Sequence, residues 1–230
     1  MTRVLVLRAQ GKVRPLHVQG IDIIQIPVIK TVPNENVIKN LQSISADYVV
    51  VMSTVVVKYV GDALRQLGRN AKVVGVGPRT CEEVEKLGIK CEIPSEFSSQ
   101  GIVNFMSKLP QGRVVILRST KGNDYLGSEL RRAGHQVIEY RVYDVEVDAI
   151  NAAIACKLLN YVDYVVFMSP MTYRALKDCD KDLLRRKTVI AIGRTTASEI
   201  SRYGINAIIP GEYTYDGVIN LLIKSLNYYQ

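Results

Sequence analysis

The 230-residue sequence has no long hydrophobic run and begins without any segment that resembles a leader. Its apolar runs, such as residues 48–52 and 164–168, are short beside the roughly 20 residues that a membrane-spanning helix needs. Residues 3–8 already have the pattern of a strand, with no apolar segment and cleavage site before them. We therefore expect a chain that does not enter the membrane and stays in the cytoplasm.

Spacings that bind metals or support thiol redox chemistry are also missing. No two cysteines form a CxxC pair, and only two histidines, His17 and His135, are available to help the cysteines bind a metal. The sequence therefore predicts no metal site, partly exposed loop histidines, and reduced thiols with a structural role. The cysteines are Cys81, Cys91, Cys156 and Cys179.

Nucleotide-binding and hydrolase signatures are absent too. The segment 75–77 (GVG) is not followed by the third glycine of a dinucleotide fingerprint, and no GxxxxGK[ST] phosphate loop occurs. Neither HExxH nor GxSxG occurs, and no cysteine is paired with a histidine. These absences disfavour NAD, ATP and hydrolase chemistry.

The chain is basic, with a formal net charge of +8 and a pI near 9.3. This charge favours an anionic partner, which can be a nucleic acid, an anionic membrane or a polyanionic small molecule. Lysines and arginines are spread along the chain, without a long run of like charge, a zinc finger or an aromatic RNA-binding strand. A dedicated nucleic-acid reader is therefore disfavoured, and composition alone does not choose between the other partners.

The sequence contains an internal repeat. Residues 47–53 (DYVVVMS) align with residues 163–169 (DYVVFMS), a shift of 116 positions. Without a gap, the same shift pairs Gly77 with Gly193, Thr80 with Thr196, Gly88 with Gly204, Pro94 with Pro210, and Gly101 with Gly217. Residues 3–8 also match residues 113–118. The length suits two domains of about 100 to 120 residues. Nearly the whole chain consists of two copies of one unit.

Each copy alternates β-rich runs with helical stretches. The runs are continuously apolar and bounded by Gly, Pro or Ser, which is typical of strands buried on both faces of a parallel sheet. The pattern predicts a doubly wound α/β fold, in which right-handed crossovers bring the functional loops to the carboxyl ends of the strands. In the first copy, the predicted helices are residues 37–43, 54–67, 79–87, 100–108 and 124–133.

Two segments, residues 21–32 and 136–147, are too long for ordinary core strands. Because they occupy equivalent places in the two copies, we interpret them as extended connectors between two domains. One domain would combine residues 1–30 with 147–230, and the other would hold residues 33–143. The connectors would lie near residues 28–34 and 140–147.

Candidate anion-binding groups follow the strands of the second copy. In the segment 193–197 (GRTTA), Gly193 allows close backbone approach, and Thr195 and Thr196 can cap the next helix. The free N–H groups of that helix can then meet an anion, with Arg194 beside them. Such a turn is either a cradle for a carboxylate or phosphate, or simple helix capping.

Related turns occur elsewhere in both copies. Residues 77–80 (GPRT) place Thr80 at the position equivalent to Thr196. Ser169 can cap a helix that Pro170 opens, and Ser53 is its counterpart in the first copy, without the proline. Two facing cradles suit a ligand that is acidic at both ends.

Two arginines and a tyrosine complete the candidates. Arg8 and Arg118 end equivalent strands, where each guanidinium either holds a carboxylate in a bidentate pair or is a solvated surface charge. Tyr143 lies on the second connector, where strict alternation puts Arg141 and Tyr143 on one face of the strand and Tyr140 and Val142 on the other. Its hydroxyl either donates a hydrogen bond into a cleft or belongs to a packing side chain.

Taken in order, these motifs resemble the uroporphyrinogen-III synthase family. The resemblance lies in the strand, Ser169-Pro170 and helix, in residues 192–197 (IGRTTA) with the Gly-Ile and Pro that follow, and in residues 142–144 (VYD) of the connector. It covers nearly the full length. It implies two flavodoxin-like domains joined by a two-stranded connector, with the active site in a cleft between them. Arg194 stands where the family commonly has proline.

The resemblance implies a lyase of tetrapyrrole (porphyrin) biosynthesis, on the route to haem, sirohaem or cobalamin, that needs no metal or cofactor. It would convert hydroxymethylbilane, a linear tetrapyrrole with eight carboxylates, into uroporphyrinogen III with inversion of ring D. Loss of the ring A hydroxyl gives an azafulvenium cation, and ring D attacks it through its substituted carbon to form a spiro-pyrrolenine. This intermediate fragments and recloses with ring D turned over. Positioning contributes much of such catalysis.

Carried over residue by residue, the resemblance makes Tyr143 the proton donor or water-holder for the leaving hydroxyl, since a phenol is protonated at neutral pH. It assigns the acetate and propionate groups to hydroxyl and backbone-amide positions. The substrate-binding residues predicted in this way, with the arginines and Ser119 as weaker candidates, are Ser53, Thr80, Ser169, Pro170, Gly193, Arg194, Thr195, Thr196, Arg8, Arg118 and Ser119. We expect a cytoplasmic monomer that receives its substrate from hydroxymethylbilane synthase by transient hand-over, with no nucleic-acid or membrane partner.

One other interpretation stays open. A non-catalytic two-domain protein that closes on an anionic small molecule would share the duplication, the cleft and the positive charge. Only the order of the motifs and Tyr143 favour the enzyme, and a turnover test separates the two.

Overall fold

Strands and helices alternate along the chain. The structure is a computed structural model that describes residues 2–13, 15 and 17–227. Its strands are β1 (Thr2–Ala9), β2 (Ile21–Pro33), β3 (Tyr48–Val51), β4 (Lys72–Gly75), β5 (Cys91–Glu92), β6 (Arg113–Ser119), β7 (Gln136–Val147), β8 (Tyr164–Phe167) and β9 (Thr188–Ala191). Its α-helices are α1 (Glu35–Lys39), α2 (Thr54–Leu67), α3 (Pro78–Glu85), α4 (Ser99–Met106), α5 (Tyr125–Arg132), α6 (Ala149–Leu158), α7 (Pro170–Arg174), α8 (Lys181–Arg185), α9 (Arg194–Ser201) and α10 (Tyr215–Asn227). Short 3-10 helices, Asn40–Ser43 and Leu159–Tyr161, follow α1 and α6.

The chain forms two compact units. Unit 1 comprises Met1–Lys30 and Glu146–Gln230, and unit 2 comprises Thr31–Val145. The chain therefore passes from one unit to the other inside β2 and again inside β7.

Unit 1 is built on parallel strands in the order β2-β1-β8-β9. Residues 4–7 of β1 are fully buried, as expected for an inner parallel strand that is covered on both faces. On one of these faces, Val218 and Leu222 of α10 join the same apolar cluster as Val4 and Val6. The sequence pattern and the packing agree here, because a strand without a solvated face has no place for polar residues.

Unit 2 has parallel strands in the order β5-β4-β3-β6-β7. Alternate residues of β3 serve opposite faces: Val49 and Val51 belong to the cluster with α2 and α3, while Val50 belongs to the cluster with α4 and α5. Helices thus cover both faces of the sheet. The predicted α/β class with a parallel sheet is confirmed.

A β-bulge follows Arg8 in β1, and another follows Arg118 in β6. The second bulge pairs Ser119 with Tyr143 and leaves Val142 on β7 as the extra residue. Val142 and Tyr143 are therefore buried in the same apolar cluster. The strict alternation predicted for this part of the strand is wrong, because one residue of a bulge steps out of the pleat.

The prediction of reduced thiols is also wrong. Cys81 of α3 forms a disulfide with Cys91 of β5, and Cys156 of α6 forms one with Cys179. Their Cα atoms are 5.3 Å and 5.4 Å apart, within the usual range for a disulfide. A CxxC spacing is not needed, because each helix folds back over its unit and brings distant positions together.

His135 is buried, although the sequence suggested a partly exposed loop residue. Its Nδ1 accepts a hydrogen bond from the Gly112 N–H at 3.3 Å, and its ring meets that of Tyr48 edge to face, with 5.7 Å between the centroids. These contacts give His135 a structural role at the start of β7. His17 lies exposed in the segment before β2.

Candidate active site

Tyr143 and Ser53, both predicted as site residues, lie in contact in unit 2. The Tyr143 Oη and the Ser53 Oγ are 3.0 Å apart, within hydrogen-bonding distance. Ser53 also caps α2, because its Oγ accepts a hydrogen bond from the Val56 N–H at 3.3 Å. The helix cap therefore fixes the serine hydroxyl beside the phenol.

The surroundings hold the Tyr143 side chain in one position. Only 8% of the residue is exposed, and its ring lies 6.1 Å from that of Tyr59. The Tyr143 carbonyl oxygen accepts the Thr120 N–H at 2.9 Å, which ties the loop after β6 to β7. A buried phenol whose hydroxyl meets a fixed polar neighbour can serve as a proton donor of defined direction.

Asp144, the residue after Tyr143, stabilises the loop that follows β6. The Thr120 hydroxyl donates a hydrogen bond to the Asp144 carboxylate, and the Val145 N–H donates another at 2.7 Å. The bond from Thr120 is the main cause that lowers the pKa of Asp144 below its ordinary value. Asp144 therefore stays charged at neutral pH, and its bond from Thr120 ties the loop after β6 to β7.

At the turn before α3, the start of the helix is formed by backbone groups, and no side-chain hydroxyl caps it. Gly77 is the N-cap residue, and no side chain caps the helix. Thr80 is buried, and its N–H donates to the Gly77 carbonyl oxygen at 3.0 Å. The threonine side chain thus belongs to the interior of unit 2, whereas the backbone of the turn lies at the start of the helix.

Ser169 is a helix cap in unit 1, as predicted. Its Oγ accepts the Thr172 N–H at 3.2 Å, and the Thr172 Oγ1 accepts the Ser169 N–H at 3.1 Å, which completes a capping box. Pro170 occupies the first helical position, also as predicted.

The turn before α9 repeats the geometry found before α3. Gly193 is the N-cap residue and no side chain caps the helix, so the predicted capping by threonines is wrong. Thr196 is buried, while Arg194 and Thr195 are exposed. Pro170, Arg194 and Thr195 line one groove, so the structure brings these three predicted residues together.

Arg8 and Arg118 are not solvated surface charges, since each is only 8% exposed. Arg118 Nη1 donates to the Asn123 carbonyl oxygen at 2.8 Å and to Glu139 Oε2 at 3.2 Å. Arg8 Nη1 donates to Gln25 Oε1 at 3.2 Å, and its guanidinium lies 4.1 Å from the centre of the Tyr215 ring.

Ser119 likewise bonds within its own loop. Its Oγ donates to the Lys121 carbonyl oxygen at 2.7 Å. Arg8 thus stabilises the end of β1, while Arg118 and Ser119 stabilise the end of β6. No described contact places Ser119 beside the Tyr143 hydroxyl.

The sequence matches the model of a family described as "Uroporphyrinogen-III synthase HemD" over residues 12–220, which is most of the chain. The chain belongs to the uroporphyrinogen-III synthase family. This family consists of cyclising lyases of tetrapyrrole (porphyrin) biosynthesis, and the predicted enzyme class is confirmed.

Two relatives extend the match. The chain is 32% identical over 166 residues to a candidate uroporphyrinogen-III synthase of Archaeoglobus fulgidus, with 69% of this chain and 73% of the relative covered. It is 26% identical over 175 residues to a candidate uroporphyrinogen-III synthase of Methanothermobacter thermautotrophicus, with 70% and 69% covered.

Solved structures of uroporphyrinogen-III synthases share the fold. A mutant enzyme from the extremely thermophilic bacterium Thermus thermophilus is similar with a TM-score of 0.60 and 19% identity, over 100% of both chains. The enzyme from Helicobacter pylori 26695 is similar with a TM-score of 0.65 and 14% identity, over 97% of this chain and 99% of that one.

Sequence reasoning missed a pair of aromatic residues beside the two glycine turns. Phe97 is 61% exposed and lies against Gly77, while Tyr213 is 52% exposed and lies against Gly193. A Cβ added at either glycine would come within 3.3 Å or 3.2 Å of the aromatic side chain. The shift of 116 positions that relates the copies also relates Phe97 to Tyr213, so the repeat contained the signal.

The described residues contain neither a metal-binding cluster nor a membrane-spanning helix. Within residues 2–13, 15 and 17–227, His, Cys, Asp and Glu side chains form no group of three or more that could hold a metal ion. None of the helices in this part of the chain combines the length and the apolar content that a bilayer crossing requires.

Proposed function

We propose that this member of the uroporphyrinogen-III synthase family cyclises hydroxymethylbilane to uroporphyrinogen III with inversion of ring D. The observation that carries the proposal is the family match over residues 12–220, which includes every predicted site residue except Arg8. The pairing of Tyr143 with Ser53 supports it, because the reaction needs a proton at the leaving hydroxyl.

In the proposed mechanism, Tyr143 donates its proton to the ring A hydroxyl, which leaves as water and gives the azafulvenium cation. The substituted carbon of ring D attacks this cation and forms the spiro-pyrrolenine. The bond between that carbon and the ring C bridge then breaks, and the bridge rejoins ring D at its other α-carbon. Loss of the proton from that α-carbon restores the pyrrole, and the proton returns to the Tyr143 phenolate. The sum is loss of one water molecule, with no oxidant or cofactor.

Ser53 has a specific part in this scheme. Its Oγ accepts the Val56 N–H and lies 3.0 Å from the Tyr143 Oη, and in this scheme the Ser53 O–H is the donor to the phenol oxygen. A hydrogen bond donated to the phenol oxygen stabilises the negative charge that develops there as the proton leaves. Ser53 thereby positions Tyr143 and favours proton donation.

The carboxylates of the substrate are proposed to bind at the helix starts. In unit 1 the candidates are Ser169, Pro170, Arg194 and Thr195 with the backbone at Gly193, and in unit 2 the backbone of the turn at Gly77. The buried Thr80 and Thr196 support these turns from within, and Arg8, Arg118 and Ser119 hold the neighbouring strand ends. The net charge of +8 suits an octa-acid.

We further propose a cytoplasmic monomer that takes its short-lived substrate directly from hydroxymethylbilane synthase. Catalysis is tested by adding one equivalent of the chain to about a hundredfold excess of freshly generated hydroxymethylbilane. Faster consumption than in buffer, through many turnovers, supports an enzyme. Protection of one equivalent without turnover supports the non-catalytic binding protein instead.

A further inference from the structure

A groove of about 480 Å³ runs between α7 and α9 of unit 1. It begins at Pro170 and Arg194, which directly follow Ser169 and Gly193 in the sequence. It continues along the solvent side of both helices to Arg174. The groove therefore extends from the proposed carboxylate cradle onto a surface that the mechanism does not use.

A buried glutamate organises the far end of this groove. Glu199 of α9 accepts a hydrogen bond from Arg174 Nε on Oε1 at 2.7 Å and one from Arg202 Nη1 on Oε2 at 3.2 Å. The bond from Arg174 holds the pKa of the Glu199 carboxyl below its ordinary value, so the carboxylate keeps its charge. One ionised side chain thus fixes two guanidinium groups side by side.

Most of the hydrogen-bonding capacity of these arginines is left over. A guanidinium carries five N–H donors, and the bonds to Glu199 use one on Arg174 and one on Arg202. Among the described residues no other acceptor takes the rest, and both arginine side chains are more than half exposed. The pair is pre-organised to receive an acidic group, because its rotamers are already restricted.

Unit 2 has the equivalent groove, of about 600 Å³, between α2 and α3. The shift of 116 positions pairs Lys58 with Arg174, Glu83 with Glu199, and Lys86 with Arg202. Lys86 Nζ lies 2.6 Å from Glu83 Oε1, so the ion pair within the helix recurs as well. The two copies therefore keep the same order of basic and acidic side chains at positions outside the apolar cores.

The groove of unit 1 has the larger positive excess. Arg174, Arg194 and Arg202 line it against the single carboxylate of Glu199. In the groove of unit 2, three basic side chains stand against the carboxylates of two glutamates. A groove with a net positive charge favours an anionic ligand.

We propose that the groove between α7 and α9 is a carboxylate-binding subsite, in which Arg174, Arg194 and Arg202 hold an acetate or propionate group of the substrate. Glu199 is the positioning residue that sets the two flanking arginines. The inference rests on the proposed function, since it takes the tetrapyrrole octa-acid as the ligand. It adds a side-chain site to the hydroxyl and backbone cradle at Ser169 and Gly193.

The test measures the affinity of the full chain for uroporphyrin III, the stable oxidised octa-acid, by fluorescence titration. Loss of one charge-assisted hydrogen bond in Arg202→Gln should weaken binding about tenfold, and Arg202→Lys should recover part of it. Arg65→Gln is the matched control, because Arg65 forms the same kind of i,i+3 pair, with Asp62, outside both grooves. Thermal unfolding and the ratio of uroporphyrin isomers III and I are recorded for each variant.

Weaker uroporphyrin III binding in Arg202→Gln but not in Arg65→Gln supports the subsite. Equal affinities in folded Arg202→Gln, Arg174→Gln and the parent chain would overturn it, and the groove would then be a helix-joining ion network. An effect on citrate binding without one on uroporphyrin III would also overturn it. If the parent chain forms no isomer III but the arginine variants still lose affinity, the proposed function fails and the anion site remains.

Discussion

Removal of the Tyr143 hydroxyl should separate catalysis from binding. Tyr143→Phe deletes a group whose described polar partner is the Ser53 Oγ at 3.0 Å, in a side chain that is 8% exposed. The lost hydrogen bond should lower the free energy of unfolding by about 1 kcal/mol. A positioned general acid contributes roughly 100-fold to 10,000-fold, so the rate of isomer III formation should fall by at least about 100-fold.

The assay combines initial rates of isomer III formation with the affinity for uroporphyrin III, which should change less than the rate. Ser53→Ala should lower the rate about tenfold, the effect of one hydrogen bond to a developing charge. Tyr59→Phe is the matched control. Its hydroxyl donates to the Thr31 carbonyl oxygen at 2.8 Å in the same cluster, so the change should reduce stability and leave the rate unaltered. Equal rates for the parent chain and Tyr143→Phe would remove Tyr143 from the mechanism.

Three further predictions concern stability. Cys156→Ser removes a disulfide between residues 23 positions apart and should lower the free energy of unfolding by about 3 kcal/mol. Mass spectrometry first verifies both disulfides in the parent chain. An unchanged denaturant midpoint in the variant would then contradict the prediction. The hydrogen bond from Arg174 lowers the pKa of the Glu199 carboxyl in the folded protein. The ionised carboxylate therefore contributes its full stabilisation at pH values above the ordinary glutamate pKa of about 4.3. This stabilisation disappears as the pH falls through the lower pKa of the folded state. Melting curves from pH 7 to 3 should therefore show an acid-induced loss that is smaller in Glu199→Gln; parallel curves would contradict it. Gly101→Ala would push a Cβ into the Glu96 carbonyl oxygen, at a cost of about 2 kcal/mol, and an unchanged melting temperature would show that the loop yields.

The sequence was sufficient to predict the α/β class, the parallel sheet and one helix to the residue, α2 at Thr54–Leu67. The reason is physical: buried parallel strands leave continuous apolar runs, and the internal repeat showed the same pattern twice. Boundaries were less certain where a helix packs weakly against the rest of the chain. The helix predicted over residues 37–43 is a five-residue α1 followed by a 3-10 turn, without a buried residue in α1 to hold it.

Tertiary contacts were harder to predict, because a sequence pattern gives a residue's face but not its neighbour. Ser53 and Tyr143 were both candidate site residues, yet nothing in their spacing indicated that their hydroxyls meet. A bulge, which has no reliable sequence signal, placed Tyr143 in the core cluster beside Val142. For Arg8 and Arg118 the sequence left a carboxylate-binding role and a solvated surface charge equally open, because burial of an arginine depends on partners that are distant in the sequence.

The measurement that tests the central claim most directly is the isomer composition of the product. The purified chain is incubated with hydroxymethylbilane generated in place, the product is oxidised, and uroporphyrins I and III are separated by chromatography beside a sample without the chain. The proposed function predicts an excess of isomer III over the isomer I that forms unaided. Isomer I alone, from active substrate and folded protein, would contradict it.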